Sequence, residues 1–367
     1  MRKRNAPVPA LKHLVLAGAE TLFPGYFALV MATGVVSIAC HLRGVPAVPE
    51  VLLGINWVSY AILWLLTILR LFVYGRRFRE DLFDHPRAPG FFTLVAGTCM
   101  LGTQTAIVAG AGGLAASLWY LGLGLWFAVM YAFFTAVTVR ERKPSIAVGI
   151  NGAWLIAAVA THSVVVLRCA LEPDSAPPPE IQLLCLTMFM VGSMLYLAII
   201  PLIFYRMTFI RFAVYDFAPP YWINMGAVAI TTLAGSALLI RAEYWPLLAD
   251  YVPFLKGFTI FFWAIATWWI PFLLALMGWR YLLRKDKFTY EPQIWGMIFP
   301  LGMYTTATYQ ISRALDFPFL EPVADLLVFV ALLAWLVAFC GLLAHIGHAV
   351  HANLAGRQRG WVVNRAD

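Results

Sequence analysis

The chain has little charge for its size. Asp, Glu, Lys and Arg make up only 12 % of its 367 residues, whereas hydrophobic residues make up 62 %. A soluble globular domain carries about 25 % charged residues, so this composition excludes that class and indicates a polytopic membrane protein. The formal net charge of +8 predicts no nucleic-acid partner, because basic residues in short loops serve to orient membrane helices.

Cysteine pairs and catalytic motifs are also missing. The five cysteines are scattered and form no CxxC motif, which argues against a zinc or redox site; they are Cys40, Cys99, Cys169, Cys185 and Cys340. Cys169 and Cys185 lie near one predicted loop, where they either pair or fill small apolar gaps. The chain has no glycine-rich phosphate loop, nucleophile elbow or HExxH motif. We therefore expect no cofactor and no enzymatic activity; an integral-membrane enzyme is a remote alternative.

Ten apolar runs are long enough to span a bilayer, for which a helix needs about 20 residues. Segments rich in Pro, Gly or charge separate them. The runs predict an all-α integral membrane protein with a single transmembrane domain over 1–367 and short tails at about 1–20 and 351–367. The predicted spans cover 22–41, 51–74, 91–112, 116–139, 146–167, 181–205, 220–240, 255–283, 293–312 and 323–350.

The basic residues predict the side of the membrane that each loop occupies. Lys and Arg cluster after the even-numbered spans and in the C-terminal tail, whereas the other loops hold mostly acidic residues. Both termini are therefore predicted to be cytoplasmic, with the protein in the cell (plasma or inner) membrane. No small-residue cleavage site follows the N-terminal MRKRNAPVPALKH, which predicts a retained tail.

Five basic residues lie on the opposite side of the membrane. Arg43, Arg168, Arg241 and Arg313 each follow the end of an odd-numbered span, and Lys256 is the fifth. The four arginines predict an outer mouth that attracts anions. The alternative interpretation is that each arginine complements the dipole at the C-terminal end of its own helix and reaches the membrane interface.

Odd- and even-numbered spans differ in the size of their side chains. The even spans are bulky, as in LWYLGLGLWFAVMYAFF, whereas the odd spans are rich in Gly, Ala, Ser and Thr, as in ALVMATGVVSIA and MGAVAITTLAGSA. Small residues allow membrane helices to approach closely. The loose similarity of the odd spans predicts five hairpins around a central pore, with the odd-numbered helices inside and running in one direction.

Neutral polar residues recur at helical spacing along the odd spans. A polar stripe inside a membrane must face protein or water, so pore lining and interhelical hydrogen bonding are the two interpretations. No Asp or Glu lies deep in any span, which disfavours a cation pathway. The predicted pore-lining residues are Thr33, Ser37, Thr93, Gly97, Gln104, Gly149, Gly152, Asn224, Thr231, Gly296, Met303, Thr306 and Gln310.

Phe299 and Pro300 predict a gate in the ninth span. The proline removes the hydrogen bond to the carbonyl of residue 296 and favours a kink. The Phe299 ring then projects at the bend, on the polar stripe, where a hydrophobic constriction can block passage or exclude water. The alternative is an aromatic ring packed in the helix core.

Two segments carry a resemblance to a known family. The segment from Tyr26 to Ala39, within FPGYFALVMATGVVSIA, and the segment from Trp295 to Thr308, WGMIFPLGMYTTAT, resemble signatures of the tellurite-resistance/C4-dicarboxylate transporter family. That family includes plant slow-type anion channels and fungal malate and sulfite transporters. The resemblance implies five inner helices from quasi-fivefold hairpins, a homotrimer with one pore per subunit, and an occluding phenylalanine at Phe299. Plant members have long phosphorylated tails, and this chain has only short ones, which places kinase gating of the plant type in doubt.

The sequence thus supports one main functional hypothesis and one alternative. The main hypothesis is a lipid-embedded anion channel or transporter for small anions such as malate or another C4-dicarboxylate, sulfite, nitrate or chloride. The alternative is a proton-coupled dicarboxylate transporter in which His162 or His41 titrates. Tellurite resistance would be a side effect of anion movement. His345, His348 and His351 recur every third residue near the end of the last span, where they more often complete a helix than bind a metal, so no metal site is predicted.

Overall fold

The computed structural model describes residues 10–171, 175–287 and 289–354. Within these ranges the chain folds into helices and short helical turns, with no strand. Residues 1–9 and 355–367, which belong to the two predicted tails, lie outside the described residues. Residues Ala10–Thr21 form a helix, although they were predicted to belong to the N-terminal tail.

Ten long helices correspond to the ten predicted spans, and they confirm the all-α membrane class. They are α1 (Ala28–Leu42), α2 (Val48–Val73), α3 (Phe92–Ala109), α4 (Gly112–Val139), α5 (Ile156–Leu171), α6 (Pro179–Phe209), α7 (Ile223–Arg241), α8 (Val252–Gly278), α9 (Trp295–Leu315) and α10 (Glu321–Leu354). Among the described residues, nine of these regions are long and apolar enough to cross a membrane, and α9 is the helix outside that group. Thr, Gln, Ser and Arg side chains make α9 more polar than the other nine.

The odd- and even-numbered helices occupy different layers. In the spans containing α1, α3, α5 and α7, between 83 and 89 % of the most apolar stretch is buried, against 22 to 44 % in the even-numbered spans. Large apolar side chains such as Phe72 of α2 and Leu326 of α10 remain exposed. Exposed apolar surface of this extent is stable only when lipid or another protein covers it. The small residues of the odd spans are therefore buried, and the bulky even helices form the outer surface.

The inner helices close a ring in chain order. Each odd-numbered helix packs against the next one, and α9 packs back against α1. Each even-numbered helix packs against the inner helix that precedes it and the inner helix that follows it, so α10 bridges α9 and α1. This repeated packing is what five consecutive helical hairpins around one axis would produce.

Each inner helix is preceded by a short 3-10 turn at the same end of the bundle. The five turns contact one another in a closed circle, here called the turn ring, and they cover Pro24–Phe27, Ala88–Phe91, Gly152–Leu155, Pro219–Trp222 and Pro292–Ile294. Glycine permits the closest of these contacts, because a Cβ on Gly90 would lie 2.6 Å from the Gly25 nitrogen and one on Gly152 would lie 2.1 Å from the Pro220 oxygen. The shared location of the turns shows that the five inner helices run in parallel.

Hydrogen bonds from aromatic side chains tie each outer helix to the inner helix that follows it in the ring. Five such bonds, with lengths of 2.9 to 3.3 Å, are Tyr60 with Thr98, Trp126 with Thr161, Tyr196 with the carbonyl of Asn224, Trp263 with Thr308, and Trp335 with Thr33. The last bond joins residues 302 positions apart in sequence. Polar groups of the inner helices therefore also serve to hold the outer layer in place.

The bond that closes the ring, from the Trp335 indole to the Thr33 hydroxyl, gives a stability prediction. Trp335→Phe should lower the free energy of unfolding by about 1 kcal/mol, because interhelical hydrogen bonds in membrane proteins contribute on that order. A double-mutant cycle with Thr33→Val, measured by reversible unfolding in detergent, should give a positive coupling energy between the two side chains. Trp268→Phe is the control, since that ring is 53 % exposed. Additive effects of Trp335→Phe and Thr33→Val would contradict the assignment.

Arginines near the ends of four outer helices hold the segments that lead into the inner helices. Each donates to a backbone carbonyl at the start of its own hairpin: Arg70 to Ala19 and Glu20, Arg140 to Phe83, Arg206 to Ala147, and Arg280 to Phe217. Aspartates pair with three of these arginines, namely Asp81, Asp216 and Asp286. The hydrogen bond from Arg280 holds the pKa of the Asp286 carboxyl below its ordinary value.

The fifth hairpin is arranged differently at this end. Helix α10 contains no Arg or Lys. The segment before α9 is held in part by Tyr290, whose hydroxyl accepts a hydrogen bond from the Trp295 indole at 3.2 Å. The Tyr290 ring packs against Gly341 of α10, where a Cβ would lie only 2.9 Å from the ring. Before α9, a tyrosine thus helps to hold the segment that leads into the inner helix. In the other four hairpins, an arginine that donates to a backbone carbonyl does this.

Candidate pore and its constriction

A small cavity lies where all five inner helices meet, within their first two turns. Its lining residues are Ala28 and Met31 of α1, Thr93 of α3, Ile156 and Val159 of α5, Ile223 of α7, and Gly296 and Phe299 of α9. The cavity measures about 10 Å³. A site needs roughly 10–15 Å³ of such space to hold one water molecule. The cavity therefore has room for at most about one water molecule.

Phe299 contributes the largest side chain of the cavity wall. It is 1 % exposed, and the other large side chains of the lining are aliphatic. Pro300 follows it inside α9. The structure thus places Phe299 at the centre of the five-helix ring, where the sequence predicted a constriction.

The cavity wall is apolar apart from one threonine. The Thr93 hydroxyl is already engaged, because it lies 2.7 Å from the Gly90 carbonyl and 3.2 Å from the Pro24 carbonyl. These bonds connect α3 to the turn ring. An apolar constriction of this size offers no hydrogen bonds to water or to an ion, and such constrictions close pores by excluding water.

Four of the thirteen residues predicted to line the pore lie on the face of α9 that carries Phe299. Gly296 lines the cavity itself. Met303, Thr306 and Gln310 follow at helical spacing toward the other end. Met303 and Thr306 are buried, whereas Gln310 is partly exposed. The Thr306 hydroxyl donates to the Gly302 carbonyl of its own helix at 3.0 Å.

Three of the predicted pore-lining side chains are bonded to the outer layer. The Thr33 hydroxyl accepts from Trp335 of α10, and the Ser37 hydroxyl donates to the Pro49 carbonyl of α2. The Gln104 side-chain oxygen accepts from the Asn56 amide of α2 at 2.7 Å. These polar groups act in helix packing, which is the alternative that the sequence left open.

Five further predicted residues contact neighbouring segments and do not belong to the cavity lining. Gly97 faces Phe27, Gly149 faces Pro144, and Gly152 faces the Pro220 carbonyl. The Asn224 amide lies 3.8 Å from the Met207 sulfur of α6. The Thr231 hydroxyl lies 3.4 Å from His162 Nδ1 of α5, and it donates to the Ala227 carbonyl of its own helix at 2.8 Å.

The two histidines proposed as proton sensors occupy different environments. His162 is fully buried between α5, α6 and α7, with its ring nitrogens 2.9 Å from the Ala158 carbonyl and 3.2 Å from the Phe189 carbonyl. The Thr231 hydroxyl lies 3.4 Å from the first of these nitrogens. A Cβ on Gly192 would overlap the imidazole at 2.5 Å, so this glycine provides its space. His41 is exposed in the last turn of α1.

The four predicted outer arginines are not equivalent in the structure. Arg43 pairs with Asp325 and lies 3.8 Å from Glu321, both in α10. Arg168 is 7 % exposed and lies 5.8 Å from the Trp119 ring. Arg241 ends α7 and is partly exposed. Arg43 therefore contributes little net positive charge at the C-terminal ends of the inner helices.

Arg43 and Arg313 meet at one aromatic ring. Their guanidinium carbons lie 5.0 Å and 6.0 Å from the centre of the Tyr309 ring. Arg313 is exposed, and its described partner is this ring. Because Arg313 follows Gln310 on the face that begins at Phe299, it stands at the end of the candidate pathway away from the turn ring.

The two ends of the inner helices carry opposite partial charges. Parallel helices place five N-terminal ends at the turn ring, each equivalent to about half a positive charge. The C-terminal ends lie together at the other side, where Arg168, Arg241 and Arg313 occupy the last turns of their helices. A positive charge at such a position complements the negative end of a helix dipole.

Sequence reasoning did not identify the aliphatic wall of the cavity. The wall consists of Ala28, Met31, Ile156, Val159 and Ile223. On a helix that is buried on all sides, an apolar residue does not indicate which face points to the cavity. One signal was available in the chain. Pro- or Gly-containing turns precede all five inner helices, and the lining residues fall within the two helical turns that follow them.

A closed ring of buried helices inside a layer of exposed apolar helices defines a multi-pass integral membrane protein. The chain belongs to the voltage-dependent anion channel family SLAC1, whose model matches residues 21–343. This confirms the resemblance drawn from the two sequence segments. It also identifies the chain as a member of a family of membrane anion transporters, not of enzymes.

Two relatives cover most of the chain at low identity, and a third covers less than half of it at higher identity. An uncharacterized transporter of Methanocaldococcus jannaschii is 23 % identical over 87 % of this chain and 91 % of its own length. A sulfite efflux pump of Trichophyton rubrum is 24 % identical over 86 % of this chain and 88 % of its own length. An uncharacterized membrane protein of Mycobacterium tuberculosis is 33 % identical over 42 % of this chain and 79 % of its own length.

Proposed function

We propose that small anions cross the membrane along the axis of the inner ring and that Phe299 closes this path. The observation that supports the proposal most directly is the cavity of about 10 Å³, to which every inner helix contributes and in which Phe299 is the largest side chain. A pathway along the axis of the ring must pass through this cavity. Liposomes containing the unaltered protein should therefore release anions slowly.

Electrostatics would favour anions at the turn ring, and at the other end of this path Arg313 would attract them. The turn ring presents five helix N-termini, which favour negative charge. Arg140 lies at the same end, where it contacts the Phe83 carbonyl before α3. The walls between the two ends are neutral, so they would neither trap an anion nor attract a cation.

The proposed substrates are small oxyanions and halides. Sulfite is the anion named for one relative, and the motif resemblance adds malate and other C4-dicarboxylates, nitrate and chloride. We further propose a homotrimer with one path per subunit, embedded in the cell membrane with both termini cytoplasmic. The extensive exposed apolar surface of the even helices is compatible with contacts to lipid and to other copies.

Proton-coupled dicarboxylate transport is the second candidate function. The observation that favours it is a buried histidine, His162, that connects two inner helices through Thr231. However, His162 does not belong to the cavity lining, so its protonation would have to act through the packing of α5 and α7. Proton movement with the substrate, recorded by an internal pH dye in liposomes, distinguishes this function from passive flow.

Arg313→Gln tests the electrostatic part of the proposal. We expect anion flux to fall about twofold at 10 mM salt and to change little at 1 M salt, because the screening length shrinks from about 30 Å to about 3 Å. The assay is anion efflux from liposomes with the gate residue replaced by alanine. Lys256→Gln is the control, since that side chain is exposed on the outer helix α8. A salt-independent loss, or an equal loss in both variants, would contradict the role of Arg313.

A further inference from the structure

The direction of the Phe299 side chain depends on the shape of α9 at the next residue. Pro300 lies inside this helix. A proline there cannot donate a hydrogen bond to the carbonyl of residue 296, and its ring crowds the preceding turn. The backbone at Phe299 is therefore less constrained by α9 itself, and contacts from neighbouring helices contribute more to its position.

One of these contacts comes from Gly226 of α7. A Cβ on Gly226 would lie 2.6 Å from Pro300 Cγ, 3.0 Å from its Cβ and 3.2 Å from its Cα. Such distances are too short for carbon atoms, so any larger residue at 226 would have to displace Pro300 or α7. Gly226 lies inside α7, and the described glycines with positive φ are Gly44 and Gly110. Space, and not backbone conformation, is therefore what requires glycine at this position.

The same pair of helices supplies one side of the cavity. Ile223 lies three residues before Gly226 on α7, and it lines the cavity with Gly296 and Phe299 of α9. A Cβ on Gly296 would be 3.5 Å from Ile223 Cδ1, which is ordinary contact. The contact of Pro300 with Gly226, here called the seat, is thus about one helical turn from the cavity. A shift of Pro300 would change the gap between Ile223 and Phe299.

We propose that Gly226 is a positioning residue of the constriction, because its missing side chain seats Pro300 and thereby directs Phe299 to the axis. This inference rests on the proposed function. It assigns closure to a unit of two helices, in which α7 supplies the seat and α9 supplies the blocking ring. The wall between α7 and α9 should then open when the seat is filled.

Gly226→Ala is the variant that fills the seat. Alanine is a better helix former than glycine by about 1 kcal/mol, so α7 itself should tolerate the change. We expect anion efflux from liposomes to rise several-fold relative to the unaltered protein, at equal protein content. The rise should be smaller than that of Phe299→Ala, because the aromatic ring is still present.

Pro300→Ala provides the suppressor test. It removes the Pro300 Cγ that the new Cβ would overlap most closely. Gly226→Ala should therefore add little efflux in the Pro300→Ala background, although it adds several-fold efflux in the unaltered background. Equal effects in the two backgrounds would overturn the proposal. If Gly226→Ala alone cannot be recovered from membranes, the comparison of Pro300→Ala with the double variant still tests the proposal. Extra efflux in the double variant would contradict the positioning role of Gly226.

Gly122→Ala is the matched control. Its Cβ would lie 2.5 Å from the Cys99 sulfur, at a contact between α4 and α3. The steric overlap is as severe as at Gly226, but it does not involve α9. This variant should not raise efflux. If Phe299→Ala opens the path and Gly226→Ala does not, the positioning role fails and the proposed function stands; if Phe299→Ala itself has no effect, the proposed gate fails.

Discussion

Replacing Phe299 by alanine should raise the rate of anion efflux several-fold while anions remain preferred over cations. A several-fold increase corresponds to a barrier lower by about 1 kcal/mol. The physical reason is that the largest side chain of a cavity of about 10 Å³ is removed, and a wider apolar constriction can hold water. Chloride and malate efflux from liposomes measures the rate, and valinomycin-controlled potassium flux measures the selectivity.

Phe262→Ala is the matched control for this experiment. Phe262 is 0 % exposed, so it is as buried as Phe299, but it belongs to the outer helix α8 and packs against Tyr196 and Phe258. Its loss should cost about 3 kcal/mol or more of stability through a cavity in the helix packing, without opening the axis. Unchanged efflux in a well-folded Phe299→Ala protein would remove Phe299 as the gate. Equal efflux in both variants would show that the leak follows from loosened packing.

Replacing Arg70 by methionine should lower the free energy of unfolding by about 3 kcal/mol, because it removes one partner of a buried ion pair. The side chains of Arg70 and Asp81 are 6 % and 9 % exposed. Arg70 also donates to the carbonyls of Ala19 and Glu20. Its loss would leave these groups short of a partner and would release the segment that leads to α1. Reversible unfolding in detergent measures the effect.

Two further variants separate the effect of leaving a buried charge unpaired from the effect of losing an arginine side chain. Arg76→Met is the control, since Arg76 and its partner Glu80 are 87 % and 58 % exposed, and such surface pairs contribute roughly 0–1 kcal/mol. Asp81→Asn in the Arg70→Met background should recover part of the stability, although Arg87 also contacts Asp81 at 2.7 Å. An Arg70→Met protein as stable as Arg76→Met would contradict the role of this pair.

The helix layout could be predicted from the sequence because helices at the surface of the bundle and helices inside it differ in amino-acid composition. Bulky apolar residues such as those of α4 and α10 face the surface, and the small residues of α1 and α7 are buried. Helix α9 shows the limit of hydropathy. A helix that packs among other helices need not be as apolar as one in contact with lipid, so its Thr and Gln residues lower its hydropathy without excluding it from the bundle.

The candidate site was only partly predictable. Phe299 could be found because it lies beside an intrahelical proline, on the polar face of its helix and within a recognisable segment. The role of Thr33 could not, because its hydrogen-bond partner, Trp335, is 302 residues away in sequence. The same holds for Arg43, whose charge is offset by Glu321 and Asp325 of the last helix. Spacing identifies the face of a helix, but the neighbour of that face is set by tertiary packing.

The measurement that tests the central claim most directly is the reversal potential of purified Phe299→Ala protein in a planar bilayer. Gradients of chloride and malate in the same direction, with a single common cation, place both anion equilibrium potentials on one side of zero and the cation potential on the other. The account predicts a current that reverses between the two anion potentials. A reversal at the cation potential would contradict it. So would a silent bilayer formed from protein that accumulates malate in liposomes under a pH gradient, since that result would establish coupled transport.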